Sequence, residues 1–207
     1  YWRGAVQNIR KHKSLNSGYE VFIFIDKYSR EIAEADGDLG KYLAEIIATS
    51  NLITLTRKAG SFGMFWRMIP LLWADVERVV VRDCDSVLTE RELYAVKEWE
   101  NSKKSFHIMR DHPAHTSVIM GGMFGCVNKD ISKAFMPLRK LLDADRIAPI
   151  KTAWQVDQVF LKRYIYPLIK DVSVVHDPFY SKLDFPSSRK GSTYVGEAVT
   201  RKSEFQE

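Results

Sequence analysis

The run Val79-Val80-Val81-Arg82-Asp83-Cys84-Asp85-Ser86-Val87-Leu88 constrains the fold more than any other stretch. Consecutive β-branched residues favour an extended strand, and an uninterrupted apolar run fits a strand buried on both faces, as in a sheet covered by helices. Open α/β sheets bind ligands outside the carboxyl ends of their strands, which is where this run places two carboxylates one residue apart. In an extended segment residues i and i+2 point to the same side. Asp83 and Asp85 are therefore expected to converge on one cation, with oxygen ligands suited to Mg²⁺ or Mn²⁺. The plainer alternative is a surface turn in which both Asp side chains accept from backbone N–H groups. Cys84 is expected to face the opposite way as a small buried filler.

Elsewhere strands and helices alternate. Residues 1–15 read as a helix with Trp2, Val6 and Ile9 on successive turns, and Val21-Phe22-Ile23-Phe24-Ile25 as a buried strand ending at Asp26. A helix over 29–48, interrupted around Gly37-Asp38-Leu39-Gly40, leads to a short strand at 51–56 and an aromatic-rich helix from Phe62 to Trp73. After the Asp pair, Thr89-Glu90-Arg91-Glu92 predicts a helix start with a capping Thr and an acidic third position, running through Trp99. Strands follow at 106–110, 123–127 and 172–176, with helices at 130–145 and 153–166. The tail from Pro178 onward is rich in Pro, Ser, Gly and charge, and is expected to be a mobile loop or a segment ordered by ligand. This alternation predicts a single α/β domain over residues 1–207, a Rossmann-like, mostly parallel sheet flanked by helices. A βαβ architecture begins on a strand whereas this sequence opens on a helix, so a first strand ahead of Tyr1 is expected.

Composition excludes several classes. The 31 basic and 26 acidic residues leave a modest +5, and the basic residues are dispersed rather than gathered on a zinc-finger or basic-helix pattern, which argues against a nucleic-acid reader. No apolar run is long enough to span a bilayer, and a cytoplasmic protein is expected. Two cysteines in unrelated contexts indicate neither a disulfide framework nor a zinc cluster.

Four groups of residues together resemble GT-A-fold nucleotide-sugar glycosyltransferases, in particular the small modules of large algal viruses of the chlorovirus type. They are Phe65-Trp66-Arg67 with Pro70-Leu71; Arg82-Asp83-Cys84-Asp85-Ser86 with Arg91-Glu92 and Trp99; Met109-Arg110-Asp111-His112-Pro113 with His115 and Gly121-Gly122-Met123-Phe124-Gly125; and Asp157-Gln158-Val159-Phe160-Leu161 followed by His176-Asp177. The match spans residues 19–197. The resemblance implies a metal-dependent transferase moving a hexose or deoxyhexose from a UDP-sugar to a hydroxyl of a glycan or glycoprotein, with retention of configuration favoured. A cytoplasmic location, the host cytoplasm for a viral enzyme, and membership of a larger multidomain chain accompany it.

On that resemblance, Asp83 touches ribose or metal, Asp85 binds the metal and His176 completes the Mn²⁺ or Mg²⁺ site. Arg57, Lys58 and Arg67 lie just before the metal strand, where a planar guanidinium fork suits phosphate oxygens. Gly121 and Gly122 let the backbone approach the sugar, and Asp157 serves as general base or stabilises a positive anomeric centre. Two cations among flexible residues, Arg189 and Lys190 are expected either to fold over the diphosphate as a lid that excludes water or to belong to a disordered tail, and Asp111, His112 and His115 either to line the acceptor side or to form a plain loop beside Pro113. The nucleobase readers are expected partly on the preceding strand. Two other functions compete: a haloacid-dehalogenase-like phosphatase with Asp83 as nucleophile and Asp85 as acid, which lacks a placeable distal acidic pair here, and a non-catalytic sugar-binding module.

Overall fold

The computed structural model describes residues 1–56, 60–128, 132–147 and 155–198. Helix α1 (Trp2–Ser14) precedes strand β1 (Phe22–Asp26), α2 (Lys27–Ala35), α3 (Gly37–Thr49) and β2 (Asn51–Leu55). A 3₁₀ helix (Gly60–Leu72) leads into β3 (Arg78–Arg82), then α4 (Glu90–Asn101), β4 (Phe106–Met109) and β5 (Met123–Val127). A short 3₁₀ turn (Ser132–Phe135) runs into α5 (Met136–Ile147). The chain then passes through α6 (Val156–Phe160), a π-helical turn (Leu161–Ile165), α7 (Tyr166–Ile169) and a last 3₁₀ turn (Lys170–Val172) to β6 (Ser173–His176).

Local chemistry accounts for the element ends. Asp26 caps α2 by accepting from Ser29 N–H at 2.8 Å. Asp36 caps α3 through Asp38 and Leu39, so the expected interruption falls at Asp36, ahead of the Gly37–Gly40 stretch. Thr89 caps α4 by accepting from Glu92 N–H at 3.1 Å, as the sequence predicts, but the Glu92 carboxylate turns away to Arg82. The aromatic-rich segment is 3₁₀ rather than the α-helix its composition suggests. Phe62, Phe65, Met68 and Leu71 are all buried, which matches three residues per turn.

The strands form two sheets: β1 pairs in parallel with β2, and a four-stranded sheet has the order β3-β5-β4-β6. The expected mostly parallel sheet is corrected here, since β5 is antiparallel to both β3 and β4 while β4 and β6 are parallel. The cause lies between Met109 and Met123, where the chain carries no crossover helix. A parallel return needs a connection of a dozen or more residues, usually helical, so this irregular one returns β5 antiparallel. Because β3, β4 and β6 therefore point the same way, the segments after all three emerge at one end of the sheet.

The main core packs the 3₁₀ residues Phe65, Met68 and Leu71 against Val81, Phe106 and Phe124 of the sheet. A second cluster sets Phe185 and Val195 of the tail against Ala95, Met109 and Met123, so the described tail is packed onto the domain. A third joins Ala5, Val6 and Ile9 of α1 to Ile46 of α3.

Candidate functional site

Strand β3 ends at Arg82, and the chain turns at once: Ser86 N–H bonds the Asp83 carbonyl at 3.3 Å. Asp83 and Asp85 thus stand on a turn rather than on one face of an extended strand, and Cys84, expected to be a buried filler, is exposed. Asn8 of α1 holds this turn. Its Nδ2 donates to the Cys84 carbonyl at 3.0 Å, and its Oδ1 accepts from Leu88 N–H and from Arg82. Arg82 also forks onto the buried Glu92 carboxylate at 2.6 and 2.7 Å. Burial favours the neutral acid of Glu92 and Arg82 opposes it, with the net direction upward. Sequence reasoning missed Asn8, although a lone amide among Ala5, Val6 and Ile9 on the apolar side of α1 was the available signal.

At the end of this turn the structure gathers five of the predicted residues. Arg67 bridges two carboxylates, donating from Nη1 to Asp83 Oδ1 and from Nη2 to Asp157 Oδ2 at 2.6 Å. Asp157 is 1% exposed and its Oδ1 is buried with no hydrogen-bond partner. It enters from the first turn of α6, directly after Gln155 in the left-handed region at φ 63°. Gly121 and Gly122 form the floor. A Cβ at Gly121 would stand 2.0 Å from Asp157 Oδ2, and one at Gly122 would stand 2.2 Å from Asp83 Oδ2. Only residues without side chains allow these carboxylates to sit so close to the backbone. Burial works against the charge of Arg67, but Asp83 and Asp157 outweigh it and the guanidinium is held more firmly protonated than usual.

Arg67, Asp83, Gly121 and Asp157, together with Asp85 and Asp26, line the mouth of a cleft of about 1200 Å³ that is also lined by β1 and β3. Among the described residues no three His, Cys, Asp or Glu side chains gather into a group able to hold a metal ion. The donor chemistry nevertheless fits a hard cation. Mg²⁺-type ions are usually held by one or two carboxylates plus the phosphates of a ligand, and Asp83 and Asp85 stand two residues apart on the turn that lines the cleft.

The remaining predicted residues lie elsewhere. His176 ends β6, at the opposite edge of the four-stranded sheet from β3, so three strand spacings of ~4.8 Å separate it from the Asp turn. Its Nδ1 meets His107 Nε2 at 2.7 Å and its Nε2 lies 3.7 Å from Glu98. Burial lowers both histidines' pKa values, well below the ordinary value for His107, with Glu98 partly offsetting the effect at His176. Arg189 is engaged with Asp111, and Lys190 reaches Glu90 at 2.5 Å, so neither joins the Arg67 cluster. Asp111 is fully buried. It receives a two-pronged contact from Arg91 at 2.9 and 3.0 Å, and it accepts from Arg189 at 2.9 Å and from Val195 N–H at 3.0 Å. Burial alone would raise its pKa, but these donors outweigh burial and lower it. His115 lines the cleft, its Nδ1 accepts from Asp111 N–H at 3.1 Å, and burial lowers its pKa to about 4. His112 stacks on Tyr194 at 4.4 Å. Arg57 and Lys58 fall outside the described residues.

No family model and no curated protein matches the sequence. Among solved structures, the chain is similar to the "crystal structure of a glycosyltransferase involved in the glycosylation of the major capsid of PBCV-1". That likeness has a TM-score of 0.42 at 16% identity and covers 77% of this chain and 83% of that one.

Proposed function

We propose that this chain is a glycosyltransferase that moves a sugar from a nucleoside diphosphate to an acceptor hydroxyl, with the donor's diphosphate at the mouth of the cleft. The observation that carries this reading is the Arg67 bridge between Asp83 and Asp157 over the Gly121-Gly122 floor, at the carboxyl end of β3. Carboxylates for a cation, a guanidinium fork for phosphate and a backbone open to close approach are the groups a sugar diphosphate requires. The sequence resemblance to GT-A enzymes supports the same assignment and favours a UDP-sugar.

In this reading Asp83 and Asp85 would hold Mn²⁺ or Mg²⁺, which when bound would supply Lewis-acid neutralisation of the diphosphate. Arg67 orients Asp157 and offers its fork to the phosphates. The acceptor oxygen bonds to the anomeric carbon while the carbon–oxygen bond to phosphate breaks and its electron pair leaves with the diphosphate. With configuration retained, the acceptor proton passes to the departing phosphate oxygen on the same face. Asp157 faces the positive charge that develops at the anomeric carbon. His176 stays with His107 in this account, and the Arg189 segment serves as a packed wall.

Release of nucleoside diphosphate from a panel of nucleotide sugars, with Mn²⁺ and a mixed glycan acceptor, tests the assignment. One donor is expected to turn over. Asp157→Asn is expected to lower kcat by ~10²-fold or more while donor affinity changes within a few-fold. No turnover of any sugar nucleotide, with phosphate release from simple phosphate esters instead, would replace this reading with the phosphatase one.

A further inference from the structure

We propose that the outward side of the helical run from Val156 to Val172 is a membrane-surface site, which lays the chain on an anionic lipid bilayer. The inference rests on side chains outside the cleft and is independent of the function proposed above.

The run comprises α6, the π-helical turn, α7 and the last 3₁₀ turn. Phe160, Leu161, Ile165 and Ile169 are buried in the main core and define its inner side. A helix on a protein surface ordinarily turns a polar side to water. Here Val159 and Leu168 are 61% and 63% exposed, and Tyr164, Pro167 and Val172 are exposed with them. Residues four apart on a helix are neighbours, so Val159, Arg163 and Pro167 make one outward row, and Tyr164 and Leu168 make the next. The Tyr164 ring rests against Phe160, with centroids 5.4 Å apart, and is thereby held as an outward anchor. Single exposed apolar residues are ordinary, whereas a contiguous set marks an interaction surface.

The charges say what covers these rows. Between Asp157 and Asp171 the run holds no acidic residue, while Lys162, Arg163 and Lys170 are all exposed. None of the three forms an ion pair among the described residues. Lys104 joins them, since its Nζ donates to the Asp171 carbonyl at 3.0 Å. Helices α2 and α3 balance their outward cations instead, pairing Lys27 with Glu31, Arg30 with Glu34 and Lys41 with Asp38. Unneutralised cations that flank apolar rows complement a layer that is anionic outside and apolar beneath, which is the chemistry of a bilayer surface. Lys and Arg stems lie along apolar material while their heads stay among the phosphates, and a Tyr ring buries its body with its hydroxyl still wet. Among the described residues no helix is long and apolar enough to cross a membrane, so the run lies in the headgroup plane rather than spanning the bilayer.

The run also starts beside the cleft. Gln155, Asp157 and Gln158 line it, whereas Val159, Tyr164 and Leu168 do not. Docking through the outward side therefore leaves the cleft uncovered and brings its mouth near the lipid headgroups.

The test is flotation of the chain with vesicles of phosphatidylcholine alone and of phosphatidylcholine mixed with phosphatidylserine, in low and high salt. Binding to the mixed vesicles is expected to exceed binding to phosphatidylcholine and to weaken as salt rises. Each cation held near an anionic surface contributes roughly a factor of five, so the triple variant Lys162→Gln, Arg163→Gln, Lys170→Gln should bind ~10²-fold more weakly. Leu168→Asp, at a position already exposed in the fold, should weaken binding at least ~10-fold with native circular dichroism. A control with Lys27→Gln and Lys41→Gln, on α2 and α3, should bind within a few-fold of the parent. Absence of binding to the mixed vesicles, unchanged binding by both outward-side variants, or a loss in the control as large as in the triple variant would overturn the proposal. So would a dimer that Leu168→Asp dissociates, in a chain that ignores vesicles, since the occupant would then be a second copy.

Discussion

Asp111 is the anchor of the tail, and its replacement by Asn measures how firmly residues 185–198 are held. The substitution keeps the side-chain volume and removes the charge opposite Arg91, whose side chain is 12% exposed, and Arg189. Breaking a largely buried ion pair by neutralising one partner typically costs about 3–5 kcal/mol, because the remaining charge is left desolvated. Disturbing the acceptor of the buried Val195 N–H adds about 1 kcal/mol more, though the terms share partners and do not sum. The total is capped by what the tail contributes to the fold, since it detaches before the domain unfolds. Phe185 and Val195 are 6% and 1% exposed in the cluster with Met109 and Met123, and burial of two such side chains contributes about 3–5 kcal/mol. The expected loss is therefore about 3–4 kcal/mol, equivalent to roughly 6–16 °C in Tm for a chain of this size. Urea denaturation reads the loss, and limited trypsin digestion at Lys182 and Arg189 reads its location. Asp111→Asn within about 1 kcal/mol of the parent, with tail cleavage unchanged, would refute the anchoring role.

Two further perturbations follow from the same geometry. Gly122→Ala would push a Cβ to within 2.2 Å of Asp83 Oδ2, so ligand binding at the mouth is expected to fall at least ~10-fold while far-UV circular dichroism stays native; unchanged titration curves would show that the floor is not needed. His107 and His176 bind protons more weakly folded than unfolded, so their contribution is fully present above the unfolded value of 6.5 and is lost as pH falls below it. The loss is up to about 1.4 kcal/mol per pH unit for the wholly buried His107. Urea midpoints at pH 7 and pH 5 should differ accordingly, with the difference reduced in His107→Gln; equal midpoints would contradict the buried neutral pair.

What the sequence made legible was set by local chemistry. The β-branched runs ending at Asp26 and Arg82, the Thr89 cap and the helical period of α1 are short-range signals, and each element lies where its signal falls. Arg67, Asp83, Asp157, Gly121 and Gly122 were all singled out, and they meet although 90 residues separate Arg67 from Asp157. What stayed hidden depends on strand order. β5 lies between β3 and β4, which reverses the expected parallel pairing and sends His176 to the far edge. The tail cations looked free for phosphate because nothing in their own segment reveals that Asp111, 78 residues earlier, already holds Arg189. The segment from Phe62 to Trp73 was legible as an aromatic-rich helix, but the three-residue period of Phe62, Phe65, Met68 and Leu71 emerges only in packing.

On the proposed function, the mouth formed by Asp83, Asp85, Arg67 and Asp157 binds a nucleoside diphosphate together with a divalent cation. Titration calorimetry with UDP, in Mn²⁺ and in EDTA, on the parent chain and on Asp85→Ala tests it most directly. UDP binding is expected to need Mn²⁺, to weaken at least ~10-fold in EDTA, and to weaken equally in Asp85→Ala with Mn²⁺ present. UDP affinity unchanged by both EDTA and Asp85→Ala would contradict it.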